Sequence, residues 1–279
     1  MVRPVITFTT DFGPESAPAI CRGVMLTIAP DAQIVDISHG VRKYAIRDGA
    51  YLLWSAAPWM PVGTHLVVVD PGVGTERLPI AIRTARGDVL VGPDNGVLMP
   101  AAAALGGALE ARVLENRELM LPATTATFHG RDIFAPMAAH LAMGTPFESV
   151  GRAVPTEELV QLAFPAPVPT ADGGLETEVI YVDSFGNARL AATPADVEQA
   201  LGPLEPGRSF RVTFVADSPG VPAVEDVPWA MTFGGRPVGA TLLYRDSSGS
   251  LAIADNQGNL ALRLGLRSGG RIRLHSPRS

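Results

Sequence analysis

His65-Leu66-Val67-Val68-Val69-Asp70-Pro71-Gly72-Val73-Gly74-Thr75-Glu76-Arg77 is the stretch that decides the fold. Its first half is a nearly unbroken β-branched and apolar run, and Pro71-Gly72 stops it at Asp70. A strand covered on both faces reads this way, because neither side of it meets water. Working outward, Pro4–Thr10 (PVITFTT) is a second buried run and ends at Asp11. Between the two lie a helical segment at 19–29 closed by Pro30, a strand at 33–38 (QIVDIS), and a helical segment at 46–57 stopped by Pro58. Downstream, LPIAIRT (78–84) and DVLVGP (88–93) read as strands, and 131–143 as a helix despite Pro136. Apolar strands alternating with helices predict a parallel-type sheet flanked by helices, an α/β domain over residues 1–164.

The pattern changes beyond that point. Phe164–Gly174 (FPAPVPTADGG) is dense in Pro, Gly and Ala, so residues 165–174 read as a linker. ETEVIYVD (176–183), ARLAA (188–192), SFRVTFVA (209–216), ATLLYRD (240–246), SLAIAD (250–255) and GRIRLH (270–275) follow. They are short, separated by turns and mostly of period two, which predicts an all-β barrel domain over 175–279.

Composition bounds the function. With 47% hydrophobic and 18% charged residues among 279, the chain is a packed globular protein and not a disordered scaffold. Net charge is −6 and basic residues do not cluster, so nucleic acid has no electrostatic footprint here. No apolar run approaches the roughly 18 residues of a membrane helix. The N-terminus reads as a strand and not as a signal peptide, so a cytoplasmic location is expected. Cys21 is the one cysteine, which excludes an intrachain disulfide; its apolar surroundings mark a buried small side chain.

Several polar clusters fall where strands end, the place at which open α/β sheets hold ligands. Asp11, after Thr9-Thr10, either accepts hydrogen bonds from a vicinal diol or caps the next helix. The loop 70–77 is neither a phosphate-binding Walker loop nor a dinucleotide fingerprint, because both spacings are missing. The seven-residue separation of Asp70 and Arg77 suits a bidentate pair across the loop. Thr127-Phe128-His129-Gly130-Arg131-Asp132 concentrates an imidazole, a guanidinium and a carboxylate before a helix. His39, His65, His140 and His275 lack such company and read as structural, and Trp54, Trp59 and Trp229 as core. Asp94-Asn95-Gly96 reads as a type I′ turn. Asp183-Ser184-Phe185-Gly186-Asn187 offers a carboxylate, an aromatic face and an amide, or else a plain turn between strands. Ser247–Ser250 reads as a loop tip.

Taken together, TTDFG (9–13), IVDISHG (34–40), VVVDPGVGTER (67–77), VGPDNG (91–96), TFHGRDIFAP (127–136), VDSFGN (182–187) and SSGSLAIADNQGNL (247–260) resemble the S-adenosyl-L-methionine (SAM) hydroxide adenosyltransferase family, a relative of the SAM-dependent chlorinases and fluorinases. The resemblance implies an N-terminal α/β domain, a C-terminal β-barrel, and a homotrimer in which each SAM lies between one subunit's N-terminal domain and a neighbour's C-terminal domain. It implies hydrolysis of SAM to adenosine and L-methionine by a water directed at the ribose C5′. It places the catalytic set on Asp70, Arg77 and His129, where the halogenases carry Tyr in place of the Asp and of the His. Asp11 then binds the ribose hydroxyls and Asp183 the methionine ammonium. Phe185 and Asn187 meet the adenine side, Ser247 the methionine carboxylate, and the backbone near Asp255 the adenine edge; Tyr44 falls near the substrate. The segments 14–23 and Ala188-Arg189-Leu190, and Ser248, depart from the family's usual pattern. A sulfonium is already a good leaving group, so neither a metal nor another cofactor is expected. Three alternatives stay open: a chlorinase, a metal hydrolase built on Asp11, Asp70, His129 and Asp132, and a non-enzymatic SAM or adenosine sensor.

Overall fold

The computed structural model describes residues 3–122, 127–215 and 223–276. The chain divides into two compact units, Met1–Ala163 and Phe164–Ser279.

In the first unit the strands are β1 (Val5–Thr10), β2 (Gln33–Ser38), β3 (Thr64–Val68), β4 (Pro79–Thr84), β5 (Val89–Pro93), β6 (Ala108–Val113) and β7 (Ala153–Val154). They form one sheet in the order β2-β1-β3-β5-β4-β6-β7. The half containing β2, β1, β3 and β5 is parallel. The rest is antiparallel, so the sheet is mixed where the apolar runs alone suggested a parallel one. The reason is connection length. Only four residues join β4 to β5, and a parallel return needs a crossover of a dozen or more.

Helices α1 (Ser16–Ile28), α2 (Ile46–Ala56), α3 (Met99–Ala104) and α4 (Ala135–Ala142) accompany the sheet. Helix α1 starts three residues before its apolar face suggested. A core of Ile6, Phe8, Met25, Leu66, Phe134 and Met137 holds α1 and α4 on the sheet. Cys21 is buried in it, and burial pushes its thiol up to about 12, so it stays a protonated hydrophobe. Trp229 is buried, but Trp59 is 81% exposed and does not belong to the core as its residue type suggested.

Two features of this unit position the site. Thr10 pairs with Val68 in the parallel ladder, so Asp11 and the Val69-Asp70 step leave adjacent strands side by side at the carboxyl end of the sheet. A π-helical segment, Gly130–Phe134, leads into α4 and brings His129 to that same end. The Asn95-Gly96 turn is not type I′, which requires positive φ at both central residues; Gly96 has it (89°) and Asn95 does not. The turn joins β5 to α3, and Asn95 Nδ2 donates to the Val69 carbonyl at 2.9 Å. Asn95 thereby braces the backbone next to Asp70.

The second unit contains β8 (Val168–Pro169), β9 (Leu175–Val182), β10 (Ala188–Leu190), α5 (Pro194–Leu201), β11 (Ser209–Val215), β12 (Ala223–Pro228), β13 (Thr241–Arg245), β14 (Leu251–Asp255), α6 (Leu260–Leu264) and β15 (Arg271–His275). Its antiparallel path runs β12-β11-β15-β9-β10-β14-β13, with β8 added to β9 inside the Pro-rich stretch. The path bends round until its ends meet: Trp229 bridges Leu243, and the Ala230 N–H donates to the Leu243 carbonyl at 2.9 Å. The result is a nearly closed barrel filled by Val179, Phe210, Phe214, Ile253 and Leu274.

Candidate active site

Asp70 and Arg77 sit at the two ends of the glycine-rich loop. Arg77 Nε donates to Asp70 Oδ1 at 3.0 Å and Arg77 Nη2 donates to Asp70 Oδ2, the bidentate fork that the spacing suggested. Both side chains are withdrawn from water, at 7% and 5% exposure, which strengthens the pair relative to a surface one. Gly74 has φ 78°, a conformation an L side chain enters only with strain, and it lets the loop fold back so tightly.

His129 joins them from the start of the π segment. Its Nδ1 lies 3.1 Å from Arg77 Nη2. A guanidinium has donors only, so Nδ1 accepts and the neutral ring carries its proton on Nε2. Burial lowers the His129 pKa, and the adjacent Arg77 guanidinium lowers it further. The imidazole is thus held neutral, with an N–H to offer. Gly130 permits the placement: a Cβ there meets Phe12 Cζ at 2.8 Å, and Phe12 packs edge-on against Phe128 with ring centroids 5.8 Å apart.

Asp11 does not cap α1, whose N-cap is Glu15. Its Oδ2 accepts from the Tyr44 N–H at 2.9 Å. Tyr44 has φ 67°, a strained backbone for an aromatic residue, and is 70% exposed. Asp11, Asp70 and His129 line one cavity of about 240 Å³ with Phe12, Lys43 and Tyr44. The sequence reading overlooked Lys43. The signal for it was composition, since it is the sole lysine against 21 arginines.

Asp132, by contrast, is buried in a bidentate pair with its neighbour Arg131, at 2.6 and 3.0 Å. Among the described residues no group of three or more His, Cys, Asp and Glu side chains is arranged to hold a metal ion.

In the second unit Asp183 organises the β9–β10 turn. It accepts from the Phe185 and Asn187 N–H groups and from Asn187 Nδ2, each at 3.0 Å. Phe185 projects to solvent. Arg189, one of the departures from the family pattern, lies 3.8 Å from Asp183 and donates to Asp246 at 2.7 Å. Asp246 in turn accepts from Ser248 and Ser250 N–H groups, fixing the turn that exposes Ser247. Asp183 and Ser247, far apart in sequence, therefore belong to one cluster. Asp255 is buried and held by Thr241 Oγ1 (2.7 Å) and Arg263 (2.8 Å), so its side chain is a brace and its backbone is what remains to offer. Asp183, Ser247 and Asp255 belong to the barrel, while Asp11, Asp70, Arg77 and His129 belong to the sheet unit.

Comparison with known proteins bears on this arrangement. Residues 6–151 match the SAM hydroxide adenosyltransferase N-terminal domain, and residues 177–273 its C-terminal domain. The chain is 44% identical over 272 residues to an (R)-S-adenosyl-L-methionine hydrolase of Salinispora tropica, covering 97% of each. It is 39% identical over 283 residues to one of Thermus thermophilus, covering 98% of this chain and all of the other. A fluorinase of Nocardia brasiliensis is 31% identical over 293 residues, covering 96% and 95%. Among solved structures, an uncharacterized conserved protein from Thermotoga maritima aligns with a TM-score of 0.85 at 34% identity, covering 97% and 99%.

Proposed function

Because the chain belongs to the SAM hydroxide adenosyltransferase family, we propose that it hydrolyses SAM, the (R) epimer at sulfur in particular, to adenosine and L-methionine. The observation that carries this reading is the buried Asp70–Arg77 pair joined by half-buried His129, with Asp70 and His129 lining the cavity shared with Asp11.

The chemistry follows from the protonation pattern. Arg77 occupies one lone pair on each Asp70 oxygen and leaves the others to accept from a water. His129 Nε2–H donates to that water's oxygen, so the two groups fix its orientation. The oxygen attacks C5′; the C5′–S bond breaks with its electron pair passing to sulfur, which becomes the neutral thioether of methionine. As the C–O bond forms, the water becomes strongly acidic and its proton passes to Asp70. Positioned acid–base help of this kind contributes about 10²–10⁴ in rate. The same carboxylate opposes a halide, since two negative charges meet in a site shielded from water. That supports water as the nucleophile where the fluorinase relatives suggest an alternative.

Asp11 binds the ribose diol in this reading. At about 240 Å³ the cavity is smaller than the roughly 300–1,000 Å³ of pockets that enclose a drug-sized ligand. This supports a homotrimer in which a neighbouring subunit supplies Asp183 for the ammonium, Ser247 for the carboxylate, and Phe185, Asn187 and the backbone near Asp255 for adenine. Neither metal nor cofactor takes part, and the protein acts in the cytoplasm. Among the described residues no helix is long and apolar enough to cross a membrane.

The test is chromatography of the purified protein with (R)- and (S)-SAM, with and without chloride and EDTA. Adenosine and methionine from the (R) epimer, insensitive to EDTA, are expected. A 5′-chloro-5′-deoxyadenosine peak, or binding without methionine release, overturns the assignment.

A further inference from the structure

We propose that a second cavity, behind Arg77, is the chamber that supplies the attacking water, separate from the cavity that takes the substrate; the inference rests on the hydrolytic reading above. This cavity has a volume of about 410 Å³ and opens to solvent past the exposed Thr75 and Arg117. Its lining includes Thr75, Arg77, Arg117, Leu121, His129 and Asp132. The substrate-side cavity is lined by Asp70 and not by Arg77; the second is lined by Arg77 and not by Asp70; His129 lines both. The Arg77–His129 hydrogen bond is therefore the partition between them.

The guanidinium shows which way the partition faces. It is planar, with Nε and Nη2 on the edge turned to Asp70 and Nη1 on the opposite side. Nη1 is buried and has no hydrogen-bond partner among the described residues, although the Arg77 side chain is more than nine-tenths buried. An unpaired buried donor of this kind costs about 1–3 kcal/mol. Water in the adjoining cavity removes that cost, and the room is ample, since a water needs about 30 Å³. Thr75 Oγ1, which donates to the Gly72 carbonyl at 2.7 Å and accepts from the Arg77 N–H at 3.4 Å, keeps one lone pair for a further partner, and Arg117 adds further donors. The chamber thus meets the requirement of two to four polar partners per ordered water.

The need for it is stoichiometric. Each turnover consumes one water at a spot that bound SAM shields from the substrate side. A chamber behind the guanidinium refills that spot without the substrate leaving: a water held at Arg77 Nη1 passes to the position between His129 Nε2–H and Asp70.

The experiment is a volume series at Leu121, which lines the chamber but lies outside the catalytic set: Leu121→Ala, Leu121→Phe and Leu121→Trp. Met120→Trp, from the same wall, replaces any variant that fails to fold. Turnover, KM for SAM and thermal midpoint are measured for each. The expected result is a kcat that falls with added volume, by about 10- to 100-fold for Trp, as a misplaced reactant does. KM for SAM stays at its wild-type value, and Leu121→Ala turns over at least as fast as wild type. A folded Trp variant with wild-type kcat overturns the proposal, as does an Ala variant as slow as the Trp one, which would mark a packing effect. A wild-type protein that releases no methionine from SAM instead defeats the hydrolytic reading itself.

Discussion

Replacing Arg77 by methionine tests the constellation most directly. The substitution keeps an apolar stem of similar length and removes the fork, together with the guanidinium carbon that lies 5.2 Å from the Phe134 ring centroid. Three hydrogen bonds go at once, two to Asp70 and one to His129. Asp70, 5% exposed, is left as a buried carboxylate without its cation. Breaking a buried pair from one side costs about 3–5 kcal/mol, because the remaining charge is uncompensated. In a unit of 163 residues each kcal/mol moves the midpoint by about 2–4 °C, so a drop of roughly 6–20 °C is expected by calorimetry. Methionine release falls by about 10²–10⁴, the worth of a positioned base. The double variant Asp70→Asn/Arg77→Met separates the two effects. With no charge stranded it regains part of the lost stability, a coupling that a double-mutant cycle reads directly, yet it stays inactive. A single variant within 2 °C of wild type on the scale above, or a double variant no more stable than the single, would refute a buried, mutually dependent pair.

Two further outcomes are expected. Gly130→Ala brings a methyl group to 2.8 Å from Phe12 Cζ, so the ring or the π segment shifts and displaces His129; turnover falls by about 10²-fold, as misplacement by an ångström does, while the barrel unit melts unchanged. Burial and Arg77 hold the His129 pKa below its ordinary value of about 6.5, so the acid limb of kcat/KM lies below pH 6.5. The linked stability has a definite sign. It is whole above about pH 6.5, where neither folded nor unfolded histidine is charged, and is lost as pH falls through the lowered value, because the unfolded chain takes up the proton first. Burial moves His140 in the same direction and adds to the effect. An acid limb above 6.5, or stability that rises on acidification through this window, contradicts the assigned tautomer and charge.

Much of this was legible before any coordinates. The apolar run 65–70 and its Pro-Gly stop gave β3, and the period-two segments gave the barrel. The spacing of Asp70 and Arg77 already suits the pair, because a seven-residue separation containing Gly72 and Gly74 leaves a loop few other ways to close. What escaped the sequence depended on non-local contacts. The antiparallel half of the sheet follows from a four-residue connection whose partner strand, β6, lies fifteen residues beyond β5. Asn95 looked like turn chemistry because nothing local shows that its amide reaches the Val69 carbonyl. Trp59 looked like core because its type usually is. Arg189 looked like a mere departure until the fold set it between Asp183 and Asp246.

The deepest reason is that residue types alone do not single out the site. The described residues contain three histidine–carboxylate constellations along the same sheet. Asp36, Arg22 and His39 repeat the residue types of the proposed catalytic set, with His39 Nε2 at 3.0 Å from Asp36 and 3.2 Å from Arg22. Thr7, His65 and Asp88 form a hydroxyl–imidazole–carboxylate chain at 2.8 and 3.1 Å. Burial sorts them. The Arg22 and Asp36 side chains are 36% and 35% exposed, where water screens the pair and competes for its donors. The Thr7 chain is fully buried, and Arg86 saturates Asp88, so no substrate reaches it. Of the three, the Asp70–Arg77 pair with His129 combines a buried ion pair with an opening to a cavity, and the first property without the second gives structure, while the second without the first gives a weak surface pair. The proposed catalytic role thus rests on depth, and depth is set by where β1, β3 and the π segment converge.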